Sequence, residues 1–267
     1  MRAILGGLAA LAISTNAWSA DMLRGSAPAF GEARSYSWAG VYFGAQGGYG
    51  HGDFAFDDSA NDLIDALRSQ QRVIISSAPP LPDSNGRAAS FGGFVGYNSQ
   101  WGDIVLGAEL NYNHTSLTAT GQSANPFRTG VTITDALGVV TAGVGNVRTE
   151  TRAHLTDYGT LRLRAGYAYN WFMPYAMVGV AAGSADVTRS ITVENAPPDV
   201  APAGLPVTQS QTKEGAISIG YMAGLGVDIG LMPGVFLRAE YEFIQFGGFD
   251  DVPARVNTGR LALGVKF

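Results

Sequence analysis

Apolar and polar residues alternate with a period of two along the C-terminal stretch "TGRLALGVKF". Leu263, Val265 and the terminal Phe267 lie in one row, and Arg260 and Lys266 lie in the other. This alternation is typical of a β-strand with one apolar face and one polar face. A sheet protein in water alternates in the same way. The rest of the chain must therefore decide which face meets water.

The same pattern recurs along the chain and predicts eight strands. Each is about ten residues long, the length that a tilted strand needs to cross a bilayer. The fifth segment is too uniformly small and apolar for its facing to be predicted. In chain order the segments are "GVYFGAQGGYG", "SFGGFVGYN", "DIVLGAELNYNH", "YGTLRLRAGYAYN", "YAMVGVAAGSADV", "AISIGYMAGLGVDIG", "VFLRAEYEFIQF" and the C-terminal stretch.

The connections between these segments alternate between short and long. Three are short, "SQWGD", "NWFMP" and "GLMPG", whereas the others span about 57–88, 117–148, 188–214 and 247–253. Three of the long ones reach a length that compact soluble domains rarely tolerate without internal structure. The first contains "NDLIDALRSQ", whose apolar spacing predicts a short helix. Short turns at one end and long loops at the other are typical of outer-membrane barrels.

The amino-acid composition indicates that the outer face of this barrel meets lipid and not water. A soluble barrel needs many charges on its outer face, but only 15% of the residues are charged, and the polar rows are rich in the 36 glycines. Small residues fit the crowded interior of an eight-stranded barrel. Aromatic residues gather beside the short turns, where a membrane-interface girdle belongs. The fold class predicted is an all-β, eight-stranded antiparallel transmembrane barrel, and the residues predicted to form its periplasmic aromatic girdle are Trp38, Trp101, Trp171 and Phe267.

The N-terminus predicts export. Residues 1–20 combine an early arginine, an apolar run and small residues before a cleavage point, which is the pattern of a signal peptide. Residues 21–37 are predicted to form a short periplasmic segment, and residues 38–267 the barrel. No later stretch has the ~20 apolar residues of a membrane-spanning helix. The predicted location is the outer membrane of a Gram-negative bacterium.

Charged residues on the polar rows are predicted to meet inside the barrel. Glu109 is expected to pair with Arg164, and Glu240 with Arg260, because unpaired buried charges are costly. Mixed signs at matched heights favour a plug that blocks diffusion, and the rival hypothesis is a charged constriction in a narrow porin. The predicted lumen charge network is Glu109, Arg162, Arg164, Arg238, Glu240, Glu242 and Arg260.

Other chemistry finds little support in the sequence. The formal charge of −5 argues against a nucleic-acid partner, and the absence of cysteine with three scattered histidines argues against a metal site. No phosphate-binding or dinucleotide fingerprint is present, so no cofactor is predicted. His114 and Ser116 resemble the His-x-Ser arrangement of lipid A deacylases, but no acidic partner for the histidine is evident. The chain is therefore predicted not to be an enzyme.

The C-terminal strand ending in Phe267, the start "WAGVYFGAQGGYG" and the strand "LRLRAGYAY" resemble the small OmpA-like, opacity-type surface barrels of alphaproteobacteria. The resemblance implies a structural envelope protein that presents its loops, with a narrow porin, an adhesin or a ligand binder as alternatives. The predicted partners are outer-membrane lipid and lipopolysaccharide, the barrel-assembly machinery through the C-terminal strand, and a host or envelope molecule through the loops.

Overall fold

A computed structural model describes most of the predicted barrel. The predicted signal peptide, almost all of the segment 21–37 and the predicted helix at 61–70 lie outside the described residues. No helix among the described residues is long and apolar enough to cross a membrane. The described ranges are 36–56, 73–75, 81–123, 127–134, 140–195 and 206–267.

Eight strands close into an antiparallel barrel, as the sequence predicts. The ring runs β1-β3-β4-β6-β7-β8-β9-β10 and returns to β1. Two further described strands extend the sheet at the loop end, where β5 pairs with the first part of β6 and β2 pairs with β5. The strands are β1 Gly40–Phe54, β2 Val73–Ile75, β3 Ser84–Trp101, β4 Ile104–Gln122, β5 Phe127–Thr134, β6 Val140–Tyr167, β7 Phe172–Asn195, β8 Val207–Met232, β9 Val235–Phe249 and β10 Val252–Lys266.

The first and last strands complete the ring. They pair from Tyr42 opposite Lys266 to Phe54 opposite Ala254, and the Phe267 amide donates to the Val41 carbonyl at 2.9 Å. Closure leaves no unpaired edge within this part of the barrel, which is the condition for a sheet to lie in lipid.

A belt of large apolar side chains faces outward on every strand of the ring, which confirms the inside-out orientation. These side chains are exposed, whereas their neighbours in sequence face the interior. The fifth predicted strand, now β7, also has a defined facing, with Val178 and Val180 outward and Tyr175 and Met177 inward. Members of the belt include Phe43, Phe91, Val95, Ile104, Leu106, Leu110, Leu161, Leu163, Ile219, Leu225, Leu237, Tyr241, Leu261 and Leu263.

The strands continue well beyond the belt, so the predicted long loops at 117–148 and 188–214 are wrong over much of their length. β6, β7 and β8 contain 28, 24 and 26 residues. Above the belt the alternation inverts: Leu117, Leu155 and Val187 are buried inside, whereas Thr118 and His154 lie on the outer face. A soluble sheet protein, with an apolar core inside and a solvated outer face, has the same arrangement. The strands therefore extend where the sequence suggested loops.

The short connections are tight turns at one end of the barrel. Gly102, Asn170 and Gly234 adopt positive φ angles of 58°, 53° and 82° in the turns that precede β4, β7 and β9. The predicted loop 247–253 is also mostly strand, since β9 and β10 are joined at the opposite end by a turn at Asp250 and Asp251. These two residues have φ angles of 49° and 65°. Aspartate tolerates this region better than most residues do.

Candidate functional site: the sealed lumen

The lumen is filled by side chains arranged in layers along the barrel axis. β10 shows the order clearly: Arg260 lies in a charged layer, Thr258 in a neutral polar layer, and Val256 and Ala254 in an apolar core towards the loop end. β4 repeats it with acidic, amide and aliphatic side chains. The charged layer therefore lies deep inside the barrel, with apolar material between it and the loop end.

The charged layer contains eight ionisable side chains, each no more than 6% exposed. The seven predicted residues meet there, together with Asp228. The sequence prediction left out Asp228, although alternation along β8 places it on the polar row. With it, four arginines face four carboxylates, so the formal charges balance. We call this set the charge network: Glu109, Arg162, Arg164, Asp228, Arg238, Glu240, Glu242 and Arg260.

Glu109 connects three arginines. It accepts hydrogen bonds from Arg162 Nε at 3.0 Å and from Arg238 Nη1 at 2.7 Å, and Arg164 Nη1 lies 3.5 Å from its Oε2 atom. Asp228 binds two of the same arginines, with Arg238 Nε at 2.8 Å and Arg164 Nη2 at 2.5 Å. Because Glu109 is on β4 and Arg238 on β9, this part of the network crosses the barrel interior.

Glu240 and Glu242 bind Arg260 and also Arg162. Glu240 accepts from Arg162 Nη2 and Arg260 Nη2, both at 3.0 Å, and from the Tyr175 hydroxyl at 2.6 Å. Glu242 accepts from Arg162 Nη1 at 3.2 Å and Arg260 Nη2 at 2.7 Å. Arg162 therefore joins both ends of the network.

The strand register explains which of the expected ion pairs have the shorter distances. Arg162, not Arg164, lies directly opposite Glu109 on the paired strand. The expected Glu109–Arg164 pair is accordingly the longer contact, and Arg164 has its nearer partner in Asp228. Glu240 lies directly opposite Arg260, where the sequence placed it.

Aromatic rings cover the charge network on the side of the short turns. The Arg238 guanidinium lies 4.3 Å from the centre of the Phe94 ring, and the Arg164 guanidinium lies 3.8 Å from that of Tyr175. Arginine stacks well on aromatic faces because its charge is spread over a plane. The Tyr42 hydroxyl also donates to Glu109 at 2.8 Å. The rings thus exclude water while adding contacts to the charged groups.

Trp38 is buried among these inner rings, and its assignment to the aromatic girdle is wrong. We call the buried rings Trp38, Tyr42, Phe94 and Phe236 the Trp38 cluster. Trp38 is only 1% exposed, its ring centre lies 6.3 Å from that of Phe236, and its indole N–H donates to the Asn170 carbonyl at 2.9 Å. Its main-chain amide donates to Gln100 Oε1 at 2.7 Å. Trp38 shares the even-numbered, inward row of Tyr42, which is the sequence signal that was missed.

The other three predicted girdle residues lie on the outer surface at the short-turn end. Trp101, Trp171 and Phe267 are 61%, 56% and 74% exposed, and the Phe267 ring stacks on Phe43 at 5.7 Å. They differ from Trp38 because they occupy turns or outward positions, whereas Trp38 enters the barrel mouth.

Neutral polar and apolar layers cover the charge network on the loop side. Gln46 donates to Asn111 at 2.8 Å and to Asn113 at 2.5 Å, so the amides satisfy one another. Beyond them lies the apolar core, whose side chains are at most 3% exposed. It includes Phe54, Phe56, Leu117, Ala119, Ala153, Leu155, Ala185, Val187, Phe246, Phe249, Val252, Ala254 and Val256.

A few polar atoms between these layers lack a hydrogen-bond partner among the described residues. They include Nε and Nη1 of Arg260 and Oε1 of Glu242. A cavity of about 10 Å³ lies beside Ser90 and Thr258, which is close to the smallest volume that holds one water molecule. This cavity therefore has room for about one water molecule.

The His114 and Ser116 pair lies outside the lumen, on the outer face. His114 Nδ1 lies 2.8 Å from Asp157 Oδ1, and the Tyr112 hydroxyl donates to the same oxygen at 2.6 Å. The sequence did not reveal this acidic partner, which comes from the neighbouring strand. Within the described residues, however, no hydrogen bond joins His114 to Ser116. The arrangement required of an activated serine is not formed.

Comparisons with known proteins agree with the fold. A family model described as "Outer membrane protein beta-barrel domain" matches residues 8–267. The "31 kDa outer-membrane immunogenic protein" of Brucella melitensis is 26% identical over 282 residues, covering 99% of this chain and 98% of the relative. The "22 kDa outer membrane protein" of Rhizobium leguminosarum is 25% identical over 86% of this chain and 79% of the relative.

Solved structures that match this chain include the following two. The attachment invasion locus protein Ail of Yersinia pestis is 14% identical, with 86% of this chain and 99% of that chain covered and a TM-score of 0.30. Neisserial surface protein A is 12% identical, with 85% and 99% covered and a TM-score of 0.33.

Proposed function

The chain belongs to the outer membrane protein beta-barrel domain family and is an outer-membrane protein, and from this premise we propose that it is a structural surface protein whose barrel does not conduct. The observation that carries the proposal is the balanced charge network, enclosed between the Trp38 cluster and the apolar core. An ion entering from either side would have to displace buried apolar side chains and exchange its hydration for groups that are already paired.

The network supports a structural role because it ties together strands that the sheet does not connect. Glu109 on β4 binds Arg238 on β9, although neither strand pairs with the other. Such contacts favour a single register of the whole barrel, because a slip of one residue would turn every inward charge towards lipid. A rigid, sealed barrel is a suitable anchor in the envelope.

The part of the barrel beyond the lipid belt provides the interaction surface in this proposal. β6, β7 and β8 rise above the belt with an exposed polar outer face. We assign contacts with lipopolysaccharide and with a host or envelope partner to this end, and contact with the assembly machinery to the C-terminal strand that carries Phe267. The name of the Brucella melitensis relative, which describes an immunogenic outer-membrane protein, supports a surface-accessible role.

A narrow porin is the second candidate function, and one observation favours it. Arg260 Nε and Nη1 and Glu242 Oε1 are buried without a partner among the described residues. Such groups are usually satisfied by water, and a line of water molecules is the minimum requirement of a pore.

Conductance of the purified protein in planar bilayers separates the two functions. The structural proposal predicts no steady channels, provided that vesicle flotation and a boiling-dependent shift in gel mobility show that the protein has inserted and folded. Steady unitary conductance would refute it. In that event Arg260→Gln should change the ratio of cation to anion permeability, since Arg260 would line the pore.

A further inference from the structure

The strand β8 extends beyond its neighbour β9 and, within the described part of the chain, has one edge without a strand partner. β8 contains 26 residues, but its neighbour β9 contains 15 and pairs with it regularly only from Gly220 onwards. On its other side β8 remains paired with β7 up to Val207 opposite Val193. Thr208–Lys213 therefore has one paired side and one side with no strand neighbour among the described residues.

We propose that the free edge of Thr208–Lys213 is a binding site for an extended, uncharged, hydroxyl- and amide-rich peptide strand of another molecule, which adds to the sheet beside β8. Unpaired N–H and C=O groups along a strand edge bind another extended main chain. The inference requires that this end of the barrel be extracellular, and it does not depend on whether the lumen conducts.

The ends of this edge are held in place by the fold. At its lower end Gly215 has a φ of 62°, and its amide donates to Asp186 Oδ1 at 2.8 Å. Nearby, the buried Arg189 of β7 is bonded to the carboxylate and the carbonyl of Asp250 in the turn after β9. β9 thus ends at a fixed level, and the upper part of β8 projects past it as an ordered strand.

Side chains along the edge determine the kind of strand that fits. The sequence "TQSQT" of residues 208–212 is uncharged, and Lys213 at the lower end is its first charge. β7 already pairs hydroxyls with this strand: Thr192 Oγ1 lies 3.1 Å from Thr208 Oγ1, and Thr188 Oγ1 lies 3.3 Å from Thr212 Oγ1. A partner rich in threonine, serine or glutamine would continue such pairs on the free side. A strongly charged partner strand would not form these hydroxyl pairs.

The experiment uses the full-length protein in detergent and a fluorescein-labelled peptide of alternating threonine and glutamine, as long as the free edge. The expected result is saturable binding, measured by fluorescence anisotropy. The control peptide has the same sequence with every second amide N-methylated, which removes the donors on one edge. We expect its affinity to be lower by about tenfold or more, since several main-chain hydrogen bonds are lost.

Variants of the protein test the same edge. Neighbouring residues of an antiparallel strand direct their N–H groups to opposite sides, so one of Ser210→Pro and Gln211→Pro removes a donor from the free edge and the other breaks the pairing with β7. The variant that keeps the boiling-dependent gel shift should lose peptide affinity by about tenfold. Ser116→Ala, which removes a hydroxyl from the outer face of β4 and leaves β8 unchanged, should bind within about twofold of the wild type.

Three outcomes would overturn the proposal. The first is no saturable binding to the wild type, and the second is equal binding of the N-methylated peptide, which tests the idea even if both proline variants misfold. The third outcome is that the wild type is a dimer in analytical ultracentrifugation and that the proline variant which removes the donor from the free edge is a monomer. In this outcome the peptide binds neither protein. That result would assign the edge to a second copy of this chain.

Discussion

Removal of the Glu240 charge tests the balance of the charge network most directly. Glu240→Gln keeps the size of the side chain but leaves four arginines facing three carboxylates in the lumen. The Glu240 carboxylate accepts from Arg162 and Arg260, both at 3.0 Å, and from the Tyr175 hydroxyl at 2.6 Å.

The expected loss of unfolding free energy follows from the contacts that Arg162 and Arg260 lose and from those that they keep. Hydrogen bonds to a charged group contribute about 1.5–3 kcal/mol each, so two arginine contacts set an upper range of about 3–6 kcal/mol. Arg260 keeps Glu242 at 2.7 Å, and Arg162 keeps Glu109, so part of this stabilisation remains. The measured cost of breaking buried pairs is about 3–5 kcal/mol. We expect Glu240→Gln to lower the free energy of unfolding by about 3 kcal/mol.

The assay is equilibrium unfolding by guanidinium in detergent, followed by tryptophan fluorescence and by the gel shift. Arg260→Gln alone should also be costly, whereas the double variant restores the balance of charge and should recover part of the loss. The coupling energy should exceed about 1 kcal/mol. The matched control is the partly exposed pair of Lys213 and Asp250, 3.9 Å apart, whose coupling should fall below about 1 kcal/mol. Equal coupling in the two cycles would refute the claim that the lumen is dry.

Three further predictions concern other parts of the barrel. Gly264→Ala should lower the free energy of unfolding by about 1–3 kcal/mol, because the new Cβ atom would overlap the Phe236 ring. The control is Gly259→Ala on the same strand, whose Cβ atom would meet no other atom within 4 Å. This control should be nearly neutral in the same unfolding assay. Trp38→Ala should lower the free energy of unfolding by about 3–5 kcal/mol. Its conductance in planar bilayers should stay near the wild-type level, because the charge network and the apolar core remain. A large new conductance would contradict the proposal that these layers seal the lumen. Protease added to intact cells should spare the three short turns, as judged by mass spectrometry of the fragments, and cleavage there would reverse the assigned topology.

The sequence was sufficient to predict the barrel because the belt obeys one simple rule. Lipid outside and a crowded interior force apolar and small residues to alternate, so residues such as Leu261 and Leu263 identify both the strand and its facing. The antiparallel order then follows from the short turns. The same rule failed above the belt, where water lies outside and the core is apolar.

Local irregularities also limited the prediction of the site. Along β6 the inward row changes from odd to even numbers, since Leu155 and Tyr158 both face the interior across a register shift. A strict period of two cannot anticipate this shift. Asp157 then reaches His114 from a strand 43 residues away in sequence, a contact that depends on register. The Arg162–Glu109 contact depends on register in the same way.

The inversion of the alternation explains why a membrane barrel can hold eight charges in its interior. Four buried arginines would attract water into an open lumen, but the apolar core above them, lined by Leu117, Leu155 and Phe246, excludes it. In this low-dielectric space each arginine requires a carboxylate, and the carboxylates come from β4, β8 and β9. The soluble-like upper half thus makes the charges below it costly to separate, and that cost holds opposite walls of the barrel together. The same upper half carries β8 past its neighbour and leaves the edge of Thr208–Lys213 exposed. The proposed anchor and the proposed binding edge therefore both depend on strands that continue beyond the lipid belt.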